Sequence, residues 1–175
     1  VDLDGTIVST DLLLEGCRSL ARQRRLQNLP HLLSLRKGRS GFKQTVAEHG
    51  RVDIAALPYR EPLLAKLREE KARGRRILLV TAAHMIMARR VSDHLRLFDD
   101  VMASEGRHNL KAANKARALV ERFGEAGFDY IGDSKADLAV WPHCRKALIT
   151  GPKAEALRQA LRTAAGEHLP IELLD

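Results

Sequence analysis

Aromatic side chains are scarce in this sequence: four Phe, two Tyr and one Trp among 175 residues, or 4%. That leaves no stacking platform of the kind that holds single-stranded nucleic acid, so nucleic acid is a disfavoured partner. Cysteine is scarcer still, and the two present, Cys17 and Cys144, build no disulfide framework. Both read as small buried apolar residues, and their number suits a reducing, cytoplasmic setting. Long hydrophobic runs are missing too. The longest apolar stretch, 77–83, falls far short of the roughly 20 residues that a membrane-spanning helix needs. No signal-peptide pattern is present. The chain opens on Val1, directly before its most informative motif, whereas a buried first strand ordinarily starts several residues earlier; upstream residues are therefore expected.

Acidic residues are absent between Arg18 and Ala47, where Arg18, Arg22, Arg24, Arg25, Arg36, Lys37, Arg39 and Lys43 lie. These eight equal the formal net charge of +8, so the rest of the chain is neutral. Such a region favours anionic partners: a phosphorylated substrate, an acidic membrane surface or nucleic acid. The competing reading is a solvated, Arg-rich helix face. With 45% hydrophobic and 30% charged residues, the composition is that of an ordinary globular protein. The length allows one sizeable core with a small insert, not two large domains.

Buried strands are expected at 1–3, 76–81, 128–132 and 147–150, with a weaker one at 100–103. Helices are expected at 61–73, 82–97, 111–123 and 153–165, with Gly74, Gly124 and Gly166 as stops after the first, third and fourth. This alternation predicts an α/β fold, a mainly parallel Rossmann-like sheet between helices, with its site beyond the carboxyl ends of the strands. Residues 11–58 break the pattern. Leu13, Cys17 and Leu20 share a helical stripe, and further short helices are expected at 30–36 and 42–49. The predicted organisation is a discontinuous core, 1–10 and 59–175, with a helical insert at 11–58.

The chemistry is concentrated in Asp2-Leu3-Asp4-Gly5-Thr6. Alternation along an extended strand aims Asp2 and Asp4 the same way, and Gly5 permits a sharp turn. Two carboxylates so placed can divide the work of phosphate ester hydrolysis, Asp2 attacking phosphorus and Asp4 trading a proton with the leaving group and water. Carboxylates facing a phosphate dianion repel it by about 4 kcal/mol per pair of unit charges at 4 Å and an effective dielectric near 20. A cation is needed. Asp133 and Asp137, in Gly132-Asp133-Ser134-Lys135-Ala136-Asp137, can join Asp2 around an octahedral Mg²⁺. Thr81, placed at the end of the strand 76–81, offers a hydroxyl and the following amides to phosphate oxygens. A lysine should balance the transferring phosphoryl group. Lys111 and Lys115 are both candidates, and Lys115, which opens the helical run before the Asp133 strand, is favoured.

These four pieces, in this order, resemble the motifs of the haloacid-dehalogenase-like (HAD) superfamily. An insert between the first two resembles the C1 helical cap of its phosphoserine-phosphatase-like branch. The resemblance implies Asp2 as nucleophile, Asp4 as acid/base, Thr81 and Lys115 as phosphate binders, and Mg²⁺ held by Asp2 and Asp133 and by the Asp4 carbonyl, with Asp137 on the metal side. Leu57-Pro58-Tyr59, Thr81-Ala82-Ala83, Asn109-Leu110-Lys111 and 128–134 resemble, more closely, the cytosolic domain that precedes UbiA-type prenyltransferases in bacteria. That implies a cytoplasmic location at the inner membrane face. The expected function is a Mg²⁺-dependent phosphatase of a small or lipid-linked phosphate. The alternatives are a non-catalytic partner domain of a membrane prenyltransferase, and a phosphatase of nucleic-acid ends.

Overall fold

The computed structural model describes residues 1–22, 38–106, 108–166 and 168–174, with 38–40 described by backbone alone. The helix expected at 30–36 lies outside the described residues. The elements are α1 (Leu12–Arg22), α2 (Gly38–His49), α3 (Glu61–Ala72), β1 (Leu78–His84), α4 (Met85–Leu95), β2 (Asp100–Ser104), α5 (Ala113–Phe123), β3 (Asp129–Gly132), β4 (Lys146–Thr150), α6 (Ala154–Ala165) and β5 (Ile171–Leu174). Two 3₁₀ turns, Lys135–Ala139 and Trp141–His143, separate β3 from β4.

The strands pair in parallel, β1 with β2 and β4 with both β3 and β5. The opening residues join the two groups. Val1 donates to the Leu78 carbonyl at 2.8 Å and accepts from Val80 at 2.8 Å, while the Asp2 amide donates to the Ile131 carbonyl at 2.9 Å. Asp2 is thus carried at the centre of a parallel sheet, between β1 and β3.

Neighbouring residues on a strand point to opposite faces, and both faces are covered. Leu79 and Leu148 enter one core with Leu63, Leu64 and Leu67 of α3 and Met87, Ala88 and Val91 of α4. Val80 and Ile149 enter the other with Leu119 of α5 and Leu157 and Leu161 of α6. Trp141 is fully buried in that second core, and Cys144 is buried with it.

Three expectations need correction. The buried stripe of α1 is Leu12, Gly16 and Leu20, not Leu13, Cys17 and Leu20. Gly16 sets it: a Cβ there would lie 2.3 Å from a Val46 methyl, so the glycine lets α1 and α2 approach closely. Strand β1 runs past Thr81 to His84, with an irregular register between Val80 and His84, and α4 starts only at Met85. His84 caps α4 by accepting from the Ile86 amide at 3.3 Å. Strand β5 was not expected; it extends the sheet beyond β4.

Candidate active site

The first motif turns back sharply after Leu3, whose carbonyl accepts from the amides of Thr6, Ile7 and Val8. Gly5 sits at φ +77°, and a Cβ on it would lie 2.1 Å from Asp133 Oδ2, so only glycine lets the two acidic loops meet. Thr6, fully buried, donates its hydroxyl to Asp133 Oδ1 at 2.9 Å. Behind the turn, the Arg60 guanidinium donates to the Gly5 carbonyl from Nε (3.3 Å) and Nη2 (3.1 Å).

Asp2 is 8% exposed, and its Oδ1 accepts from the Leu3 amide at 2.8 Å and lies 3.1 Å from Lys115 Nζ. Burial raises its pKa, and the Lys115 charge opposes that rise. Lys115, itself 3% exposed, also donates to the Tyr130 hydroxyl at 2.7 Å and lies 3.5 Å from Asp137 Oδ1. Tyr130 passes the bond on, donating to Asp137 Oδ1 at 2.8 Å. Its own pKa is raised well above the usual phenol value by burial and by the surrounding carboxylates, so it stays a donor. The other Asp137 oxygen accepts from the Ser134 hydroxyl (2.8 Å), the Ser134 amide (3.0 Å) and the Asp133 amide (3.3 Å). Asp137 thus ties the Asp133 loop to Lys115 and Tyr130.

Asp4 differs from Asp2. Its Oδ1 accepts from the Leu12 amide at the start of α1 (2.9 Å), and burial pushes its pKa up to about 7. Such a carboxyl holds a proton near neutrality, as a general acid must. Thr81 is fully buried, and its hydroxyl accepts from the Ala83 amide at 3.0 Å. Asp2, Asp4, Thr81, Lys115 and Ser134 all line one cleft of about 770 Å³. Lys111 lines it too, but it is exposed and Asp2 has Lys115 beside it instead. The cleft is roofed in part by the insert: Lys43 of α2 reaches the Ala82 carbonyl at 2.9 Å.

The donor set suits Mg²⁺. One carboxylate oxygen from each of Asp2, Asp133 and Asp137 falls within 4.8 Å of the others, a cluster of hard oxygens of the kind this ion prefers. Burial pushes the Asp133 pKa up to about 6 against the Thr6 hydrogen bond, a cost that a divalent cation would relieve. Sequence reasoning gave no role to Thr6, Arg60 or Tyr130. Thr6 stands in the first motif itself, but its partner is 127 residues away.

A parallel sheet with helices on both faces and an acidic cluster at its central strand ends defines a HAD-like hydrolase fold. The family model for haloacid dehalogenase-like hydrolases matches residues 1–141, and the chain belongs to that family. The uncharacterised protein y4nM of Sinorhizobium fredii is 39% identical over 153 residues, covering 86% of this chain. This chain spans only 29% of that relative's length. Among solved structures, a Bordetella pertussis protein of unknown function is similar over 99% of this chain and 96% of its own, with TM-score 0.66 and 17% identity. A phosphoserine phosphatase solved as a phospho-aspartyl intermediate analogue matches over 98% and 90%, with TM-score 0.62 and 15% identity. A HAD family hydrolase of Salmonella enterica serovar Typhi matches over 91% of this chain and 63% of its own, at TM-score 0.65 and 17% identity.

Proposed function

We propose that the chain is a Mg²⁺-dependent phosphatase that hydrolyses phosphate monoesters through an aspartyl phosphate on Asp2. The observation that carries this reading is the pairing of two carboxyls in one cleft with unlike surroundings. Asp2 faces Lys115 and the other two acids, whereas Asp4 lies outside that cluster, its Oδ1 held by the Leu12 amide. Burial raises the pKa of both, so the roles follow from position: the carboxyl beside the lysine and the metal cluster attacks, and the one outside it trades the proton.

In the first step an Asp2 oxygen bonds to phosphorus as the ester P–O bond breaks, and the departing alkoxide takes the proton held by Asp4. In the second, Asp4 accepts a proton from water as that water attacks phosphorus, and the bond from phosphorus to Asp2 breaks to release phosphate. Lys115 offsets charge on the phosphoryl oxygens from its position 3.1 Å from Asp2. The Thr81 hydroxyl is at hand for another of those oxygens. Asp2 and Asp133, with Asp137 bracing the loop, would hold Mg²⁺, which when bound would supply charge neutralisation at the phosphate.

Phosphate release from a generic aryl phosphate tests the proposal. It should require Mg²⁺ and vanish in Asp2→Asn with the fold retained; release that is unchanged by chelation would sink it. The remaining proposals concern context. The longer relative, of which this chain matches 29%, favours a domain working beside another protein segment; a prenyltransferase at the cytosolic membrane face as that setting rests on the sequence resemblance alone. That role is compatible with catalysis.

A further inference from the structure

The cleft is larger than phosphoryl transfer alone requires. Its volume of about 770 Å³ falls within the roughly 300–1,000 Å³ of pockets that enclose a ligand of drug size. The reacting groups account for part of its lining, and much of the rest is hydrocarbon. Leu13 of α1, Phe42 and Val46 of α2, and Met87 of α4 all face it. Val46 is closed off on one side by Gly16, and Met87 belongs to the first core. Leu13 and Phe42 are different. Both are half-buried, both line the cleft, and among the described residues neither packs on either core. Apolar surface left on a binding cleft favours an apolar ligand group, because burying it removes both surfaces from water.

The charges agree. Beyond the metal cluster the cleft is lined by Asp11 and Glu105 and by Lys43 and Lys111, charges that offset one another and leave no net excess to recognise a second charged group of either sign. The Lys43 ammonium is held on the Ala82 carbonyl. An amino-acid leaving group, with its own carboxylate and ammonium, would leave Leu13 and Phe42 facing polar atoms.

We propose that the substrate is a phosphate monoester of an uncharged, apolar alcohol, with phosphate at Asp2 and Lys115 and its hydrocarbon group against Leu13, Phe42, Val46 and Met87. This rests on the phosphatase reading and narrows it. The insert then acts as the hydrocarbon-recognising wall, since Leu13, Phe42 and Val46 all belong to its two described helices.

The test uses straight-chain alkylphosphonates, which bind without turnover, titrated calorimetrically with Mg²⁺ present, alongside hydrolysis of the matching alkyl phosphates, glycerol phosphate and phosphoserine. Each added methylene should tighten Kd by about twofold to fourfold until the cleft is full. The kcat/KM of the esters should follow the same slope, with phosphoserine and glycerol phosphate behind the longer alkyl esters. Phe42→Ala should flatten the slope. Leu13→Asn, at a half-buried position, should flatten it as well. A Kd that ignores chain length, with every ester hydrolysed at one rate, overturns this inference and leaves the phosphatase reading standing. A chain-length slope in Kd with no phosphate released from any ester overturns the phosphatase reading instead.

Discussion

Lys115 and Asp137 form an ion pair at 3.5 Å and are bridged more closely through the Tyr130 hydroxyl, which accepts from the lysine at 2.7 Å and donates to the carboxylate at 2.8 Å. All three are buried. The ammonium beside Asp2 is thus held from behind by a neutral relay. In Tyr130→Phe the Lys115 ammonium and Asp137 Oδ1 each lose their shortest partner. Unfolding free energy should fall by about 1–3 kcal/mol, read by denaturant melts. Turnover should fall as well, because Lys115 gains freedom to leave its place beside Asp2. Wild-type turnover in a measurably destabilised Tyr130→Phe would show that the relay serves the fold alone.

Asp4→Asn keeps the nucleophile and its lysine but removes the proton. The loss should be about 10² to 10⁴ in rate for an alkyl phosphate and much smaller for a nitrophenyl phosphate, whose leaving group needs no proton. The two rates, measured under one set of conditions, decide the matter. Equal losses would argue against Asp4 as the acid.

Away from the site, Asp129 at the start of β3 receives the Arg145 guanidinium at 2.9 and 3.0 Å and Arg75 at 2.6 Å. Burial alone would raise its pKa, but the hydrogen bonds from Arg145 and Arg75 outweigh burial and hold it below the usual value. A depressed folded pKa means that stability is present above the unfolded value, about 3.9, and is lost as pH falls through the folded one. The arginines are water-exposed, so the expected contribution is about 1 kcal/mol. Asp129→Asn should therefore be less stable than wild type near neutrality, and the gap should close in acid. A gap that stays constant between about pH 3 and pH 7 would contradict the assignment.

The candidate carboxylates of the first motif were legible because they lie together in one short segment. Asp2 and Asp4 stand two residues apart, although the chain turns back after Leu3 instead of continuing as an extended strand, and Gly5 announces that turn. Lys115 could be favoured over Lys111 but not chosen outright, since the choice is made by Tyr130 on a different strand. The stripe of α1 was misread by one position because Gly16 offers no side chain to count; it matters by what it admits, the Val46 methyl. Strand β5 escaped notice for a similar reason. Ile171–Leu174 is four residues long, and the Glu172 carboxylate is held by Lys66 and Lys146, contacts that no local pattern reveals. Thr81 was placed correctly in the cleft and wrongly at the strand's end, because the three residues after it continue β1 irregularly to His84.

The central claim is the covalent intermediate, and trapping it is the most direct test. Enzyme mixed with Mg²⁺ and an aryl phosphate, quenched in acid within the first turnover and mapped by mass spectrometry, should carry one phosphoryl group on the peptide containing Asp2. Borohydride should reduce that acyl phosphate to the alcohol at the same residue, and Asp2→Asn should show neither mark. Turnover that proceeds at full rate with no label ever found on Asp2 would contradict the account.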